Sequence, residues 1–270
     1  MRSISLGIAL RTFLFCHLFA IVLAQPAGAD PATASDHHRR ARQFLDEAAS
    51  TRDPIRLLWL GWRIREALDA ALALDPERID ARLDLVRFHT MAPRIAGGSR
   101  EAAEAQAAEI ERRDPALGCF ARGYIAYRKK AFGLARAKLR EAVSGAATAE
   151  HRIMALTWLG WLSQESQQYD DAFAAFESIL RIRPTHAAAL YEIGRTAVFA
   201  RRDLERGERA LRRFIDSASR GQPGLAEGHL QLALLLEIKG DRAGARRAAG
   251  LALRLDPRLT EAREVMKRTR

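Results

Sequence analysis

Cysteine is nearly absent from this sequence of 270 residues, which has only two, Cys16 and Cys119. Cys16 lies in an apolar N-terminal stretch, so the rest of the chain has one thiol and cannot form an internal disulfide. Aromatic residues are also few, at 7% of the chain, and the alternation of apolar and polar residues that is typical of β-strands is scarce. The fold must therefore be stabilised by the burial of aliphatic side chains, for which the chain is long enough.

Catalytic and metal-binding patterns are likewise missing from the sequence. The RIAGGS segment at residues 94–99 is not followed by the Lys-Ser/Thr pair of a phosphate loop and has no GxGxxG pattern. His37 and His38 stand beside Asp36 at the end of the predicted linker, and the other histidines lack the spacing of a zinc site. We predict no enzymatic activity, no cofactor and no bound metal. The glycines are interpreted as a turn, after which Ser99 caps the next helix.

The N-terminal segment resembles an export signal. Arg2 and Arg11 provide positive charge, residues 12–24 form an apolar run, and Ala27 to Ala29 have the small-x-small pattern of a cleavage site. About 13 apolar residues are fewer than the roughly 20 that a membrane-spanning helix needs. The preferred interpretation is a signal peptide cleaved after Ala29, which predicts a periplasmic or secreted protein. An uncleaved membrane anchor is the alternative.

Positive charge exceeds negative charge, with 44 Lys and Arg residues against 33 Asp and Glu residues and a formal net charge of +11. The two signs are interleaved, as in RRDLERGERALRR at residues 201–213, where Glu205 and Arg209 stand four apart and so do Glu208 and Arg212. This pattern is typical of a solvated helix face. We predict a protein or peptide partner and no nucleic acid, with membrane contact only if the N-terminal segment is retained.

Apolar residues recur every three or four positions between short breaks at DP, RP or GD, which predicts helices, and the pattern repeats at about 34 residues. The stretch IMALTWLGWLSQESQQYDDAFAAFESILRIRP at residues 153–184 resembles a tetratricopeptide repeat, and LAEGHLQLALLLEIKGDRAGARRAAGLALRLDP at residues 225–257 does so again. The resemblance implies an all-α superhelix, or solenoid, of helical hairpins. The residues that carry the signature are Gly123, Ala135, Leu159, Gly160, Ala172, Phe176, Pro184, Gly194, Gly207, Ala233, Ala245 and Pro257.

Small signature residues are expected where two antiparallel helices approach closely, so we predict that Gly160 faces Ala172. Phe176 is expected to fill the space beside this crossing. Pro184 is expected to end the second helix, because proline cannot continue a helical turn. These residues are therefore assigned to the fold and not to binding.

The register of the signature predicts a linker over residues 30–35 after the signal peptide of residues 1–29, and an array of about six hairpins over residues 36–270. A capping helix over residues 258–270 closes the array, because its apolar residues form one stripe. The predicted hairpins cover residues 36–76, 77–115, 116–148, 153–184, 187–221 and 226–257.

The tetrapeptide WLGW occurs twice, at residues 59–62 and 158–161. The second copy contains the signature Gly160. The first is followed by Pro76 after only enough residues to complete one helix. We therefore predict that DPIRLLWLGWRIREALDAALALDP forms a single long helix capped by Asp53, and that only the second copy marks a repeat.

The resemblance also implies a concave inner surface lined by the first helix of each hairpin, and we predict binding there. Tyr124, Trp161 and Tyr191 are expected to form an aromatic floor, with Arg128 and Arg195 beside it to orient an acidic or carbonyl-rich partner. The alternative is that several of these rings belong to the core between repeats. The predicted binding residues are Arg87, Phe120, Tyr124, Tyr127, Arg128, Trp161, Tyr191, Arg195 and Phe199, and further inward positions include Thr157, Gln164 and Glu165.

The predicted function is a non-enzymatic scaffold in the bacterial periplasm that binds a protein partner. Two alternatives remain open. The protein carries a small apolar or anionic ligand, or it is a membrane-anchored assembly factor if the N-terminal segment is not cleaved.

Overall fold

Thirteen α-helices make up the part of the chain that the computed structural model describes, residues 33–217 and 224–270, and no β-strand occurs in it. This confirms the predicted all-α fold. The predicted signal peptide, the first half of the predicted linker and the last residues of the predicted hairpin 187–221 lie outside the described residues. The chain divides into two compact units, one ending at Lys129 and the other beginning at Lys130.

The first unit contains five α-helices. They are α1 (Ala34–Ser50), α2 (Pro54–Leu74), α3 (Ile79–Met91), α4 (Arg100–Arg113) and α5 (Pro115–Arg128). α1 packs against α2, and α3 packs against both α4 and α5. A 3₁₀ helix, Arg94–Ala96, follows α3 and contacts α2. Gly97 continues this turn with a positive φ, and Ser99 then caps α4 by accepting a hydrogen bond from the Ala102 amide at 3.1 Å, as predicted.

The second unit contains the other eight helices. They are α6 (Phe132–Gly145), α7 (Ala149–Glu165), α8 (Tyr169–Ile182), α9 (Ala187–Ala200), α10 (Leu204–Ser217), α11 (Leu225–Lys239), α12 (Arg242–Leu255) and α13 (Thr260–Arg268). The pairs α7–α8, α9–α10 and α11–α12 form hairpins. α7 contacts α9, α9 contacts α11, and α11 contacts α13, so the first helices of successive hairpins form one layer.

The first WLGW lies within one long helix, as predicted. α2 runs from Pro54 to Leu74, and the Asp53 carboxylate caps it by accepting a hydrogen bond from the Ile55 amide at 2.9 Å. One face of α2 is buried against α1 and α3. The apolar cluster between α1, α2 and α3 consists of Ala41, Leu60, Ile64, Ala67, Leu68, Ala81, Leu85 and Phe88.

Two of the signature glycines, Gly160 and Gly194, accommodate large side chains, whereas the nearest neighbour of Gly207 is the small side chain of Ala197. A Cβ atom added to Gly160 would overlap the ring of Phe176, and one added to Gly194 would overlap the side chain of Leu211. The close neighbour of Gly160 is therefore Phe176, where the sequence predicted Ala172. Of the remaining signature residues, Gly123, Ala135, Ala172, Gly207, Ala233 and Ala245 are buried, Leu159 is half-buried, and Pro184 and Pro257 are exposed in turns.

The C-terminal helix α13 contacts both α11 and α12. Ala262 and Val265 are fully buried against them. At its end, the Arg268 guanidinium donates two hydrogen bonds of 2.7 Å to the Glu237 carboxylate. None of the described helices combines the length and apolar content needed to cross a membrane.

A pair of substitutions in α8 tests the packing register. Ala172 has no exposed surface, whereas Ala174, two residues along the same helix, is exposed. We expect Ala172→Trp to lower the free energy of unfolding by about 1–3 kcal/mol, because the larger side chain overpacks the site. Ala174→Trp should leave it nearly unchanged. The check is chemical denaturation of both variants, and equal midpoints would contradict the register.

Candidate binding surface

The nine predicted binding residues are divided between the two units. Arg87 lies on α3, and Phe120, Tyr124, Tyr127 and Arg128 lie on α5 of the first unit; Trp161 lies on α7, and Tyr191, Arg195 and Phe199 lie on α9 of the second unit. Tyr127 is half-buried and Arg128 is exposed. Arg87 is half-buried, with its Nη1 3.4 Å from an Asp84 carboxylate oxygen.

Three of the predicted rings lie in the interior. Tyr124 and Tyr191 are each 4% exposed, and Phe120 is 7% exposed. The ring of Tyr191 packs edge-on against Phe214 of α10, with centroids 5.6 Å apart, and burial raises the pKa of its hydroxyl. Two of the three rings of the predicted aromatic floor, Tyr124 and Tyr191, are therefore not offered to solvent. The inward positions of a helix adjoin its packing positions, and at these residues the neighbouring helices cover the ring.

A polar cluster, which we call the Glu192 cluster, links α7 to α9. The Glu192 carboxylate accepts hydrogen bonds from the indole N–H of Trp161 at 2.9 Å and from the side-chain amide of Gln164 at 3.0 Å. The Gln164 amide nitrogen also lies 2.8 Å from the Thr196 hydroxyl, and its carbonyl accepts a hydrogen bond of 2.7 Å from Arg195. The Nε atom of Arg195 lies 3.0 Å from the Glu192 carboxylate. These contacts join two successive hairpins.

Burial makes the pairing within this cluster necessary. Glu192 is 3% exposed and Gln164 is 6% exposed, and a carboxylate removed from water is stable only with a charged partner and hydrogen bonds. Arg195 supplies the charge. Its Nη1 donates no hydrogen bond to the described residues, and its guanidinium lies 5.3 Å from the ring of Phe199. The Nη1 group of Arg195, whose side chain is 13% exposed, is thus not used within the cluster.

Two aromatic rings flank the Glu192 cluster at its outer side. Trp161 is half-buried and packs edge-on against Trp158, with centroids 5.3 Å apart. Phe199 is 38% exposed. The structure therefore brings together Trp161, Arg195 and Phe199 of the predicted residues, and we call these three the Trp161 surface.

Glu192 and Thr196 are the members of the cluster that the sequence prediction missed. The helix AAALYEIGRTAVFA contains one acid, Glu192, and one base, Arg195, three residues apart. An isolated acid–base pair in an otherwise apolar helix indicates a buried ion pair, and this signal would have identified Glu192. Thr196 gives no comparable signal, because the hydroxyl of a threonine in a buried helix commonly bonds to a backbone carbonyl of the same helix.

A second polar cluster links α1 to α3 in the first unit. His38 is 5% exposed, and its Nε2 and Nδ1 atoms lie 2.9 Å from Asp84 and 3.2 Å from Asp80. His37 and His38 are therefore in helix α1 and not in a linker as predicted. The two carboxylates contact opposite ring nitrogens, so their oxygens do not converge on a point where a cation could bind. No metal-binding group of three His, Cys, Asp or Glu side chains occurs in residues 33–217 and 224–270.

The carboxylates set the charge of this histidine. Burial alone would lower the pKa of His38, but its hydrogen bonds to Asp80 and Asp84 outweigh burial and raise the pKa to about 9. Burial would raise the pKa of Asp80, and the bond to His38 outweighs it and lowers that pKa to about 2. At neutral pH an imidazolium therefore bonds to two carboxylates and holds the first hairpin against the second.

No family model matches the chain, and no curated protein sequence matches it. Several solved structures are similar in fold. PilF of Pseudomonas aeruginosa is 19% identical, with a TM-score of 0.56 over 86% of this chain and 99% of PilF. PilW, a widely conserved type IV pilus biogenesis factor, is 15% identical, with a TM-score of 0.61 over 86% and 98% of the two chains. YrrB, a TPR protein with an unusual peptide-binding site, is 15% identical, with a TM-score of 0.53 over 74% and 98%.

The His38 cluster predicts that stability falls at alkaline pH. The pKa of His38 is raised in the folded protein, so its contribution is fully present below pH 6.5 and is lost as the pH rises through about 9. We expect the free energy of unfolding to fall by up to about 3 kcal/mol over this range. Urea denaturation at a series of pH values measures this fall in the free energy of unfolding.

The control for this experiment is a second histidine. His38→Gln should remove the pH-dependent step, whereas His229→Gln on α11, where burial lowers the pKa of the histidine, should retain it. A wild-type stability that stays constant between pH 6.5 and pH 9 would show that His38 is not held as an imidazolium.

Proposed function

We propose, from the tetratricopeptide-repeat fold of this chain, that it is a non-enzymatic scaffold in the bacterial periplasm which binds a segment of a protein partner. The fold confirms that the signature residues are those of tetratricopeptide repeats. The function of this fold in the protein is what we propose. The binding site that we propose is the Trp161 surface of the second unit. This site is smaller than the one predicted from the sequence, because it leaves out the buried rings.

The Glu192 cluster is the observation that carries the proposal. Its hydrogen bonds fix Trp161 and Arg195 on two packed helices, so little side-chain freedom is lost when a ligand binds. Tryptophan and arginine are the residue types that most often dominate the energy of protein interfaces. The remaining Nη1 donor of Arg195 can bond to a carboxylate or a backbone carbonyl of the ligand.

These groups indicate the chemistry of the partner. Trp161 and Phe199 offer apolar contact area, and Arg195 between them offers a hydrogen-bond donor. A peptide segment with an apolar side chain next to an acidic side chain or a free carbonyl matches this order. The peptide-binding site of YrrB, which shares the fold, supports a peptide as the ligand.

A hollow between α10, α11 and α12 favours a second candidate function, the carriage of a small apolar or anionic ligand. Ile215, Leu232 and Leu236 provide apolar lining, and the charged lining consists of Arg212 and Arg247 together with Asp216 and Asp241. Native mass spectrometry of the purified protein distinguishes the two functions. A co-purified small molecule would favour the carrier, and its absence would favour the scaffold.

Substitutions in the Trp161 surface test the proposed site. We expect Trp161→Ser and Phe199→Ser each to weaken capture of the native partner from an envelope extract by about tenfold or more, since interface aromatics contribute on the order of 2 kcal/mol. Phe176→Ala is the control. It should instead lower the free energy of unfolding by about 3–5 kcal/mol, because Phe176 is fully buried. Undiminished capture by both surface variants would exclude this site.

Export is tested by the N-terminus of the protein purified from its native envelope. Charge at Arg2 and Arg11, the apolar run of residues 12–24 and the small residues before Asp30 support cleavage. We expect mass spectrometry to find a mature chain that begins at Asp30 or Gln25. An intact Met1 on protein extracted from membranes would support the anchored form instead.

A further inference from the structure

Three large apolar residues of α2 are exposed along one line of the helix. Ile55 is 79% exposed, Trp59 is 39% exposed and Trp62 is 57% exposed. They are spaced at i, i+4 and i+7, so they occupy the same face over two helical turns. We call these three residues the α2 stripe.

The α2 stripe lies on the side of the helix opposite to its packing face. Leu60, Ile64 and Leu68 form the buried face, and a residue spacing of 100° around the helix puts the stripe about 180° from them. Farther along the same exposed side the residues are charged, as at Glu66 and Asp69. The stripe is therefore a local apolar surface at the start of α2. Packing within the first unit covers it only in part, through the edge-on contact of Trp59 with Phe44 of α1, whose ring centroids are 5.8 Å apart.

The size and shape of the α2 stripe argue against a protein as its occupant. A stable dimer needs about 20–30 residues from each partner, and the stripe has three. Two further large apolar side chains of this region are exposed, Leu57 of α2 at 38% and Ile95 of the 3₁₀ helix at 74%. The stripe is also the outward face of a helix and not a groove, whereas a peptide helix docks into a groove. A lipid surface needs no matching partner and accepts a single helix face.

The residues around the α2 stripe suit the boundary between lipid and water. Arg56 lies over the ring of Trp59 at 4.2 Å, and Arg63 lies 5.8 Å from it. Tryptophan is enriched at this boundary because its ring is apolar and its N–H is polar. Glu47 pairs with Arg56 and Glu66 with Arg63, so the surface is close to neutral and binding should not require anionic lipid.

The sequence places an apolar segment close to this hairpin. Residues 25–33 connect the apolar run of residues 12–24 to α1, and nine residues extend over at most about 30 Å. Whenever that run is in a bilayer, during export or as an anchor, the start of α1 is within this distance of the bilayer. The first hairpin is then tethered near the bilayer. The stripe lies at the far end of that hairpin, where Arg56 pairs with Glu47 of α1, so it contacts lipid when the hairpin lies along the bilayer surface.

We propose that the α2 stripe binds the surface of a lipid bilayer, with the rings of Trp59 and Trp62 at the level of the headgroups. The proposal does not depend on the Trp161 surface, which lies in the other unit. It also differs from anchoring by the N-terminal segment, because the contact is made by a folded helix.

Vesicles of phosphatidylcholine alone are the probe, because they exclude attraction by the net positive charge of the protein. We expect the full-length protein to sediment with them. The double variant Ile55→Ser/Trp62→Ser should bind at least about tenfold more weakly, the order of effect for losing the burial of a large apolar side chain. The matched control is Leu74→Ser, at the other end of α2, where the side chain is 57% exposed like Trp62. This variant should bind like the wild type.

Fluorescence locates the contact independently of the N-terminal segment. Vesicles that contain brominated lipid should quench the tryptophan emission of the wild type and not that of Trp59→Phe/Trp62→Phe, which retains Trp158 and Trp161. Absence of vesicle binding, or equal binding by the wild type and the double serine variant, would overturn the proposal. So would a wild-type dimer in sedimentation velocity that the double serine variant dissociates, because the stripe would then bind a second copy.

Discussion

A helical hairpin can bury only one of its sides by itself, and every other feature of this chain depends on how the remaining sides are covered. In the second unit each first helix lies between two others, as α9 does between α7 and α11. Apolar side chains at such junctions become core, whatever their sequence position suggests. Tyr191 shows the result, because its ring packs on Phe214 and leaves no surface for a ligand.

Polar residues at the junctions are paired in the same way in both units. Glu192 and Arg195 of α9 bond to Trp161 and Gln164 of α7, and His38 of α1 bonds to Asp80 of α3. Apolar packing alone accepts many relative positions of two helices, whereas a buried charge is stable only opposite its partner. These clusters therefore fix the positions of the neighbouring hairpins, and the Glu192 cluster at the same time fixes the two side chains that we propose as ligand contacts.

The helices and their ends could be predicted from the sequence. Which faces of each helix are buried by neighbouring helices could not. Asp53 before Pro54 specifies the start of α2, because its side chain caps the helix by bonding to the amide of Ile55, only two residues away in the chain. The sequence near a residue does not show how much of the helix surface a neighbouring helix covers. Tyr124 was therefore predicted in the binding surface, although it is buried. His38 was assigned to a linker, although Thr33 caps the helix that contains it.

Binding is accordingly expected at side chains that the packing of the helices leaves exposed. Trp161 and Phe199 remain accessible beside the Glu192 cluster because neighbouring helices cover Tyr191 and not them. Ile55 and Trp62 remain accessible because the packing face of α2 is on its other side. Substitutions at distant sites without shared partners act independently, and these two surfaces belong to different units. Partner capture and vesicle binding therefore report on separate properties of the same chain.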